Sequence, residues 1–269
     1  MDDHDHGPED SFSSTTSASI SVDFAIGAES GNDLDGNTDD GSSEALGTAY
    51  GYQIDLSTSF TGEDALSVSL DAGSGAGALG ELDLNSGGDS LIVDGITYSF
   101  PLGEKTTVLV GDSTDGSALY STACVYGGFT NTLDDCGNFT SAFTSASDGA
   151  SLSASYDIGN GFTGAIGYSG EGTGSKGLMT KESADLYGAQ IAYSTDNFGA
   201  SVTYADTDKA TAWGLNGYYT FDDASLPSLS LGYEFTESEG TAVDKTQWFA
   251  GLQWDEVGPG SLGLSLIHI

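Results

Sequence analysis

Residues 17–28 read Ser-Ala-Ser-Ile-Ser-Val-Asp-Phe-Ala-Ile-Gly-Ala. Ala18, Ile20, Val22, Phe24, Ile26 and Ala28 are apolar, and Ser17, Ser19, Ser21 and Asp23 between them are polar. Successive side chains of a strand point to opposite faces, so this alternation predicts a strand with one apolar and one wet face. The same period recurs. Tyr50, Tyr52, Ile54 and Leu56 alternate with Gly51, Gln53 and Asp55, and Leu66, Val68 and Leu70 alternate with Ser67, Ser69 and Asp71. Further on come Leu152, Ala154, Tyr156; Tyr187, Ala189, Ile191, Tyr193; Phe198, Ala200, Val202, Tyr204; Leu229, Leu231, Tyr233, Phe235; and Trp248, Ala250, Leu252, Trp254. About thirteen candidate strands emerge, with no helical period between them. The pattern predicts an all-β chain.

Composition sharpens this reading. The 269 residues carry 41 Asp+Glu against 5 Lys+Arg, a formal charge of −36. All five cations are lysines (Lys105, Lys176, Lys181, Lys209, Lys245), each in or near a turn or loop. A nucleic-acid binder needs a basic face to displace counterions, and a surface held to anionic lipid by charge needs one too. Both are excluded. Hydrophobic residues reach 38%, below the roughly 45–50% of soluble globular domains. Such a chain is either a disordered acidic polymer or a β protein with few, well-placed apolar residues, and the periodicity selects the second.

The connections separate two kinds of barrel. Short turns such as Ile158-Gly159-Asn160-Gly161 and Thr195-Asp196-Asn197 alternate with long acidic or Gly/Ser-rich stretches at 29–45, 112–148, 170–183 and 237–244. Strands of about ten residues joined alternately by short turns and long loops predict a transmembrane antiparallel up-and-down β-barrel. About thirteen strands are too many for side chains to fill the interior, so the small polar face is expected to line water and the bulky face to meet lipid. Asp23, Asp55, Asp71, Asp94 and Asp157 fall on the wet face and are the candidate pore-lining acids. With no arginine to attract anions, such a pore is expected to prefer cations. Tyr156, Phe162, Tyr193, Phe198 and Trp254 stand beside short turns, where an interfacial aromatic girdle would sit. The competing use of these aromatics is the core of a β-sandwich.

Cys124 and Cys136 are the only cysteines, both in the longest connection. An exported chain uses such a pair as a disulfide. It either stiffens a loop folded into the pore or staples a surface loop. Catalysis finds little to work with, because His4, His6 and His268 lie at the extreme ends and no Ser-His-Asp set can form. The acidic pairs Asp134/Asp135 and Asp222/Asp223 read as solvated loop charge. Asp33, Asp35, Asn37 and Glu44 have partial calcium-loop spacing, but Gly36 and Gly41 miss the required glycine position. No enzyme, cofactor or metal is expected. The chain begins with an acidic segment over residues 1–14, without a basic or apolar leader. Residues 264–269 look like translated adapter sequence, so 15–263 is taken as a barrel incomplete at its end.

Several stretches carry a family likeness. Ser59-Phe60-Thr61-Gly62-Glu63-Asp64-Ala65-Leu66 resembles the SFTGxDxL element of cyanobacterial outer-membrane porins, and Ile96-Thr97-Tyr98-Ser99-Phe100-Pro101-Leu102-Gly103 their Y-x-F-P-x-G strand and turn. Residues 124–138, Asn160-Gly161-Phe162-Thr163 and Gln253-Trp254-Asp255-Glu256-Val257-Gly258-Pro259-Gly260 are similar too. The resemblance implies membership of the carbohydrate-selective porin superfamily, often labelled iron-uptake porin. It further implies the cell outer membrane, outer-membrane lipid and a homotrimer as partners, and passive diffusion of ions and small solutes. Full-length members carry a signal peptide, an S-layer-homology domain and a coiled coil ahead of the barrel, and commonly arginines within it. The rival reading is an acidic β-rich surface or adhesin-type structural protein without channel activity.

Overall fold

The computed structural model describes residues 15–27, 46–75, 84, 88–127, 136, 149–172, 174–223, 225–240 and 244–268. Residues 1–14, the 33–44 stretch and Asp134/Asp135 lie outside the described residues. Thirteen strands follow one another: β1 (Thr16–Gly27), β2 (Gly47–Thr58), β3 (Ala65–Gly73), β4 (Ile92–Pro101), β5 (Thr106–Asp112), β6 (Ala150–Gly159) and β7 (Phe162–Gly170). Then come β8 (Asp185–Ser194), β9 (Phe198–Thr207), β10 (Ala210–Tyr219), β11 (Ser228–Ser238), β12 (Lys245–Val257) and β13 (Gly260–His268). Each pairs antiparallel with the next in a single up-and-down sheet, and no helix occurs among the described residues. β1 and β13 are its two edges and do not pair with each other.

Burial runs opposite to that of a water-soluble fold. Ile20 (70% exposed), Phe24 (82%) and Ile166 (62%) face outward, whereas Ser153, Ser169, Thr203 and Ser230 are buried to 1% or less. The register explains how one sheet keeps this segregation. Ser19 lies opposite Asp55 and Asp55 opposite Ser69, so the polar sets of β1, β2 and β3 share a face. Ser153 likewise lies opposite Gly167. A slip of one residue on any strand would turn its leucines and tyrosines onto the polar face.

The turns supply what the register needs. Gly159, Asn160 and Gly161 all have positive φ (98°, 56° and 84°), a backbone that a β-branched residue would strain. The alternation of connection length breaks down in the last third of the chain: β9 and β10 are joined by Asp208 and Lys209 alone, on the side of the long loops, and the β10–β11 connection (220–227) is longer than the β11–β12 connection (239–244).

Between β2 and β3 the chain wraps around Asp64. Its Oδ1 accepts the amides of Phe60 (2.9 Å) and Thr61 (2.7 Å) and the hydroxyls of Ser59 (2.7 Å) and Thr61 (2.8 Å). The Tyr98 hydroxyl donates to Oδ2 at 2.7 Å. The Thr61 amide above all, then the Tyr98, Ser59 and Thr61 hydroxyls, hold this carboxyl far below the usual aspartate range. A group depressed in the folded state stabilises fully above its unfolded value of about 3.9 and loses that contribution as pH falls. Asp64→Ala is therefore expected to lower the urea midpoint in detergent micelles at pH 7. The gap from wild type should close as the pH is lowered through the acid range. A gap independent of pH would mean that the ionised carboxylate does not organise this turn.

Candidate functional site

The connection between β5 and β6 returns to the polar face of the sheet as a strap. Its first described stretch, Gly116 to Gly127, crosses strands in sequence order. Gly116 lies on Gly167 of β7 and Tyr120 on Gly188 of β8. The Ser121 amide donates to Gln190 Oε1 (2.7 Å) while Gln190 Nε2 donates to the Ser121 carbonyl (2.8 Å). Asn216 of β10 donates to the Thr122 carbonyl (2.9 Å), and the Val125 amide donates to Ser230 of β11 (3.1 Å). The Gly127 amide ends the crossing on Gln253 of β12 at 2.6 Å. Eleven residue steps reach about 36 Å when extended, and five strand spacings need about 24 Å. The segment thus has the length to run at right angles across the strands.

The polar face is small because the strap sits on it. A Cβ at Gly167 would stand 1.8 Å from the Gly116 carbonyl oxygen, and one at Gly232 would stand 1.8 Å from that of Cys136. Gly251 and Gly263 make room for Tyr126 in the same way. Tyr120 packs on Ala205 and Ala212, both fully buried. Tyr126, Cys136 and Phe249 form a second buried cluster with Cys124 against it, and the Tyr126 and Phe249 rings meet edge-on at 5.4 Å. Both apolar clusters are therefore formed by strap against wall. Burial, and then the Asp115 charge, push the Tyr120 hydroxyl above the ordinary tyrosine range, so it stays neutral at physiological pH.

Cys124 and Cys136 are joined by a disulfide with Cα atoms 5.9 Å apart. It ties the crossing segment to the point where the chain touches Gly232 of β11. The anchors Gln190, Asn216, Ser230 and Gln253 escape a reading by charge. The signal for Gln190, Asn216 and Gln253 is only that an amide side chain stands among neighbours that are mostly Gly, Ala, Ser and Thr, and Ser230 gives none.

The five candidate acids occupy different situations. Asp23, Asp55 and Asp71 share the polar face of β1 to β3 by register. Asp55 is held on three sides: Gln53 Nε2 (2.9 Å) and Ser69 Oγ (2.7 Å) donate to Oδ1, and Ser19 Oγ donates to Oδ2 at 3.4 Å. Asp157 accepts the Gly159 amide at 2.8 Å and belongs to the turn. Asp71 is 8% exposed, with an Oδ1 that has no hydrogen-bond partner. Asp94 is exposed, at a register shift between β3 and β4.

The lysines keep away from this wall. Lys176, Lys181 and Lys209 gather with Glu171, Asp185 and Asp208 around a cavity of about 620 Å³ where the β7–β8 loop meets the β9–β10 turn, and Lys176 pairs with Glu171. The paired acids Asp222 and Asp223 are engaged in their turn, the first by Asn197 Nδ2 (2.8 Å) and the second by the Ser225 amide (3.0 Å).

Three of the aromatic residues beside the short turns, Phe162, Tyr193 and Phe198, pack in a row across β7, β8 and β9. Phe162 and Tyr193 have ring centroids 4.6 Å apart, and Tyr193 and Phe198 5.4 Å. Tyr156 is exposed on the neighbouring strand and Trp254 is half-buried.

No protein-family model and no curated protein matches the sequence. Among solved structures, a triple mutant of the Rhodopseudomonas blastica porin is similar at 11% identity and a TM-score of 0.46, covering 93% of this chain and 94% of the other. A loop-deletion mutant of OmpT, an outer membrane protein of Vibrio cholerae, is similar at 12% identity and a TM-score of 0.43, covering 94% and 93%.

Proposed function

We propose that this chain is the wall and constriction of an outer-membrane channel through which inorganic ions and small hydrophilic solutes diffuse passively. The observation that carries the reading is the inverted burial. A sheet that hides serine and threonine while exposing Ile20, Phe24 and Ile166 would be insoluble in water. It is suited to a hydrocarbon solvent, where every backbone group must find a partner within the sheet. Strands mostly of 9 to 13 residues match the reach needed to cross a bilayer at a tilt. Outer-membrane lipid is then the partner of the apolar face, with Tyr156, Phe162, Tyr193, Phe198 and Trp254 at its boundary.

The strap gives the channel its narrow level. It occupies the polar face of β7 to β12, so passage is left between the strap and the facing wall of β1 to β6. That wall carries Asp23, Asp55 and Asp71 and no lysine within its strands. Fixed negative charge along a confined aqueous path raises the local concentration of cations.

In planar bilayers with a salt gradient, the reversal potential is expected to favour the cation. The preference should fade as ionic strength rises and the Debye length falls to about 3 Å near 1 M. A reversal potential favouring chloride would remove the acidic wall from the reading. Absence of any conductance would favour a structural surface protein instead.

A further inference from the structure

Among the acids of the polar face, the structure assigns to Asp71 and Asp94 a discrete binding subsite for a partly hydrated divalent cation of the calcium or magnesium class. The β-bulge between β3 and β4 creates it. Ser69 pairs with Gly95 and Leu70 with Val93, leaving Asp94 as the extra residue. A bulge sets two residues opposite one, so Asp94 joins Gly95 on the face of Ser69, next to Asp71. Ser69 also faces Asp55, and Gln53 lies directly opposite Asp71.

Hydrogen bonding separates these carboxylates. Asp55 has three donors and is already stabilised as an anion. Asp71 is 92% removed from solvent by its 8% exposure, and its Oδ1 is buried without a hydrogen-bond partner. A buried carboxylate oxygen with no donor is costly unless a positive charge compensates it. The neighbouring charge here is another carboxylate, Asp94, and the wall of β1 to β4 contains no lysine. Two carboxylates without a protein cation are neutralised either by a proton or by an ion from solution, and a divalent ion satisfies both carboxylates at once.

No three His, Cys, Asp or Glu residues converge as a direct chelating set among the described residues. The ion therefore keeps much of its water, as oxygen-ligated divalent cations readily do. Asp71 provides the buried charge, and exposed Asp94 provides the approach.

The test is calorimetric titration of the full chain, folded in detergent micelles at low ionic strength, with calcium chloride alone. Wild type is expected to show a saturable component that Asp71→Asn weakens about tenfold or more, since affinity follows the ligand charge count. Asp94→Asn, at an exposed position, should weaken it as well and serves if Asp71→Asn fails to fold. Asp222→Asn, in the exposed β10–β11 connection, should leave it unchanged. A wild type without saturable binding, or a component of equal affinity in the Asp71 and Asp94 variants, overturns the proposal. No current flows in this measurement, so a chain that binds calcium but does not conduct would count against the channel and not against the subsite.

Discussion

Replacing Gly232 with valine is expected to lower single-channel conductance and to lower stability by about 1–3 kcal/mol, the usual cost of forcing atoms into a packed site. The cause lies in one contact. A Cβ at Gly232 would stand 1.8 Å from the carbonyl oxygen of Cys136 and 3.0 Å from its carbonyl carbon. Both are backbone atoms and cannot turn away as a flexible side chain would. Either β11 moves, against its pairing with β10 and β12, or the strap lifts from the wall. Lifting is the cheaper response because it breaks fewer hydrogen bonds. It carries the disulfide-linked end of the strap away from β11 and toward the facing wall, which narrows the passage left between them. Gly174 serves as the control, since a Cβ there meets nothing within 4 Å and Gly174→Ala should leave both quantities unchanged. If Gly232→Val lost stability while conductance stayed at the wild-type value, the strap would be packing material outside the conducting path.

How much of this was legible follows from which signals are local. The strand beginning at Ser17 is a local signal, since its period of two is readable without knowing any neighbour. So is the outward turn of its bulky face, because the number of such strands rules out an interior filled by side chains. The strap is not a local signal. Gly116 to Gly127 has no period, and its seat is spread over six strands as Gly167, Gly188, Ala205, Ala212, Gly232 and Gly251. Each of these reads in isolation as one more small residue facing water. A small polar face is equally compatible with a wide lumen and with a shelf for a loop, so sequence left both uses of the cysteine pair open.

Acidity by itself was a poor guide to role. Asp55, Asp71 and Asp157 have the same side chain on the same kind of strand position. Three donors fix Asp55 in place, a turn amide engages Asp157, and Asp71 keeps a bare buried oxygen. Those differences depend on Ser19, Ser69 and Gln53, which come from three separate strands. The Asp64 element shows the converse. It carried part of the family resemblance, and its chemistry is that of a turn: the carboxylate collects two amides and three hydroxyls to close the β2–β3 connection.

Removing the disulfide tests the strap from its other side. Cys124 and Cys136 are 12 positions apart, and in the chain-entropy model closing a loop of this size is worth about 3 kcal/mol. The double variant Cys124→Ser, Cys136→Ser is expected to lose about that much stability, read as a lower urea midpoint in micelles with the β spectrum retained. The spectrum survives because the sheet does not depend on the strap: its ladders run from β1 to β13 without it. The conductance should respond differently from that of Gly232→Val. The segment from Ser121 to Gly127 keeps its bonds to Gln190, Asn216, Ser230 and Gln253, so the main open level should stay near wild type. The freed end at Cys136, packed with Tyr126 and Phe249, gains mobility, and the trace should show added fluctuation between sub-levels. Adding a thiol reductant to wild type should reproduce that noise, and leave the double serine variant unchanged. A reductant that altered both traces equally would place its action away from this bond. A stable, quiet double variant would mean that the hydrogen bonds alone hold the strap and that the cysteines contribute nothing to its position.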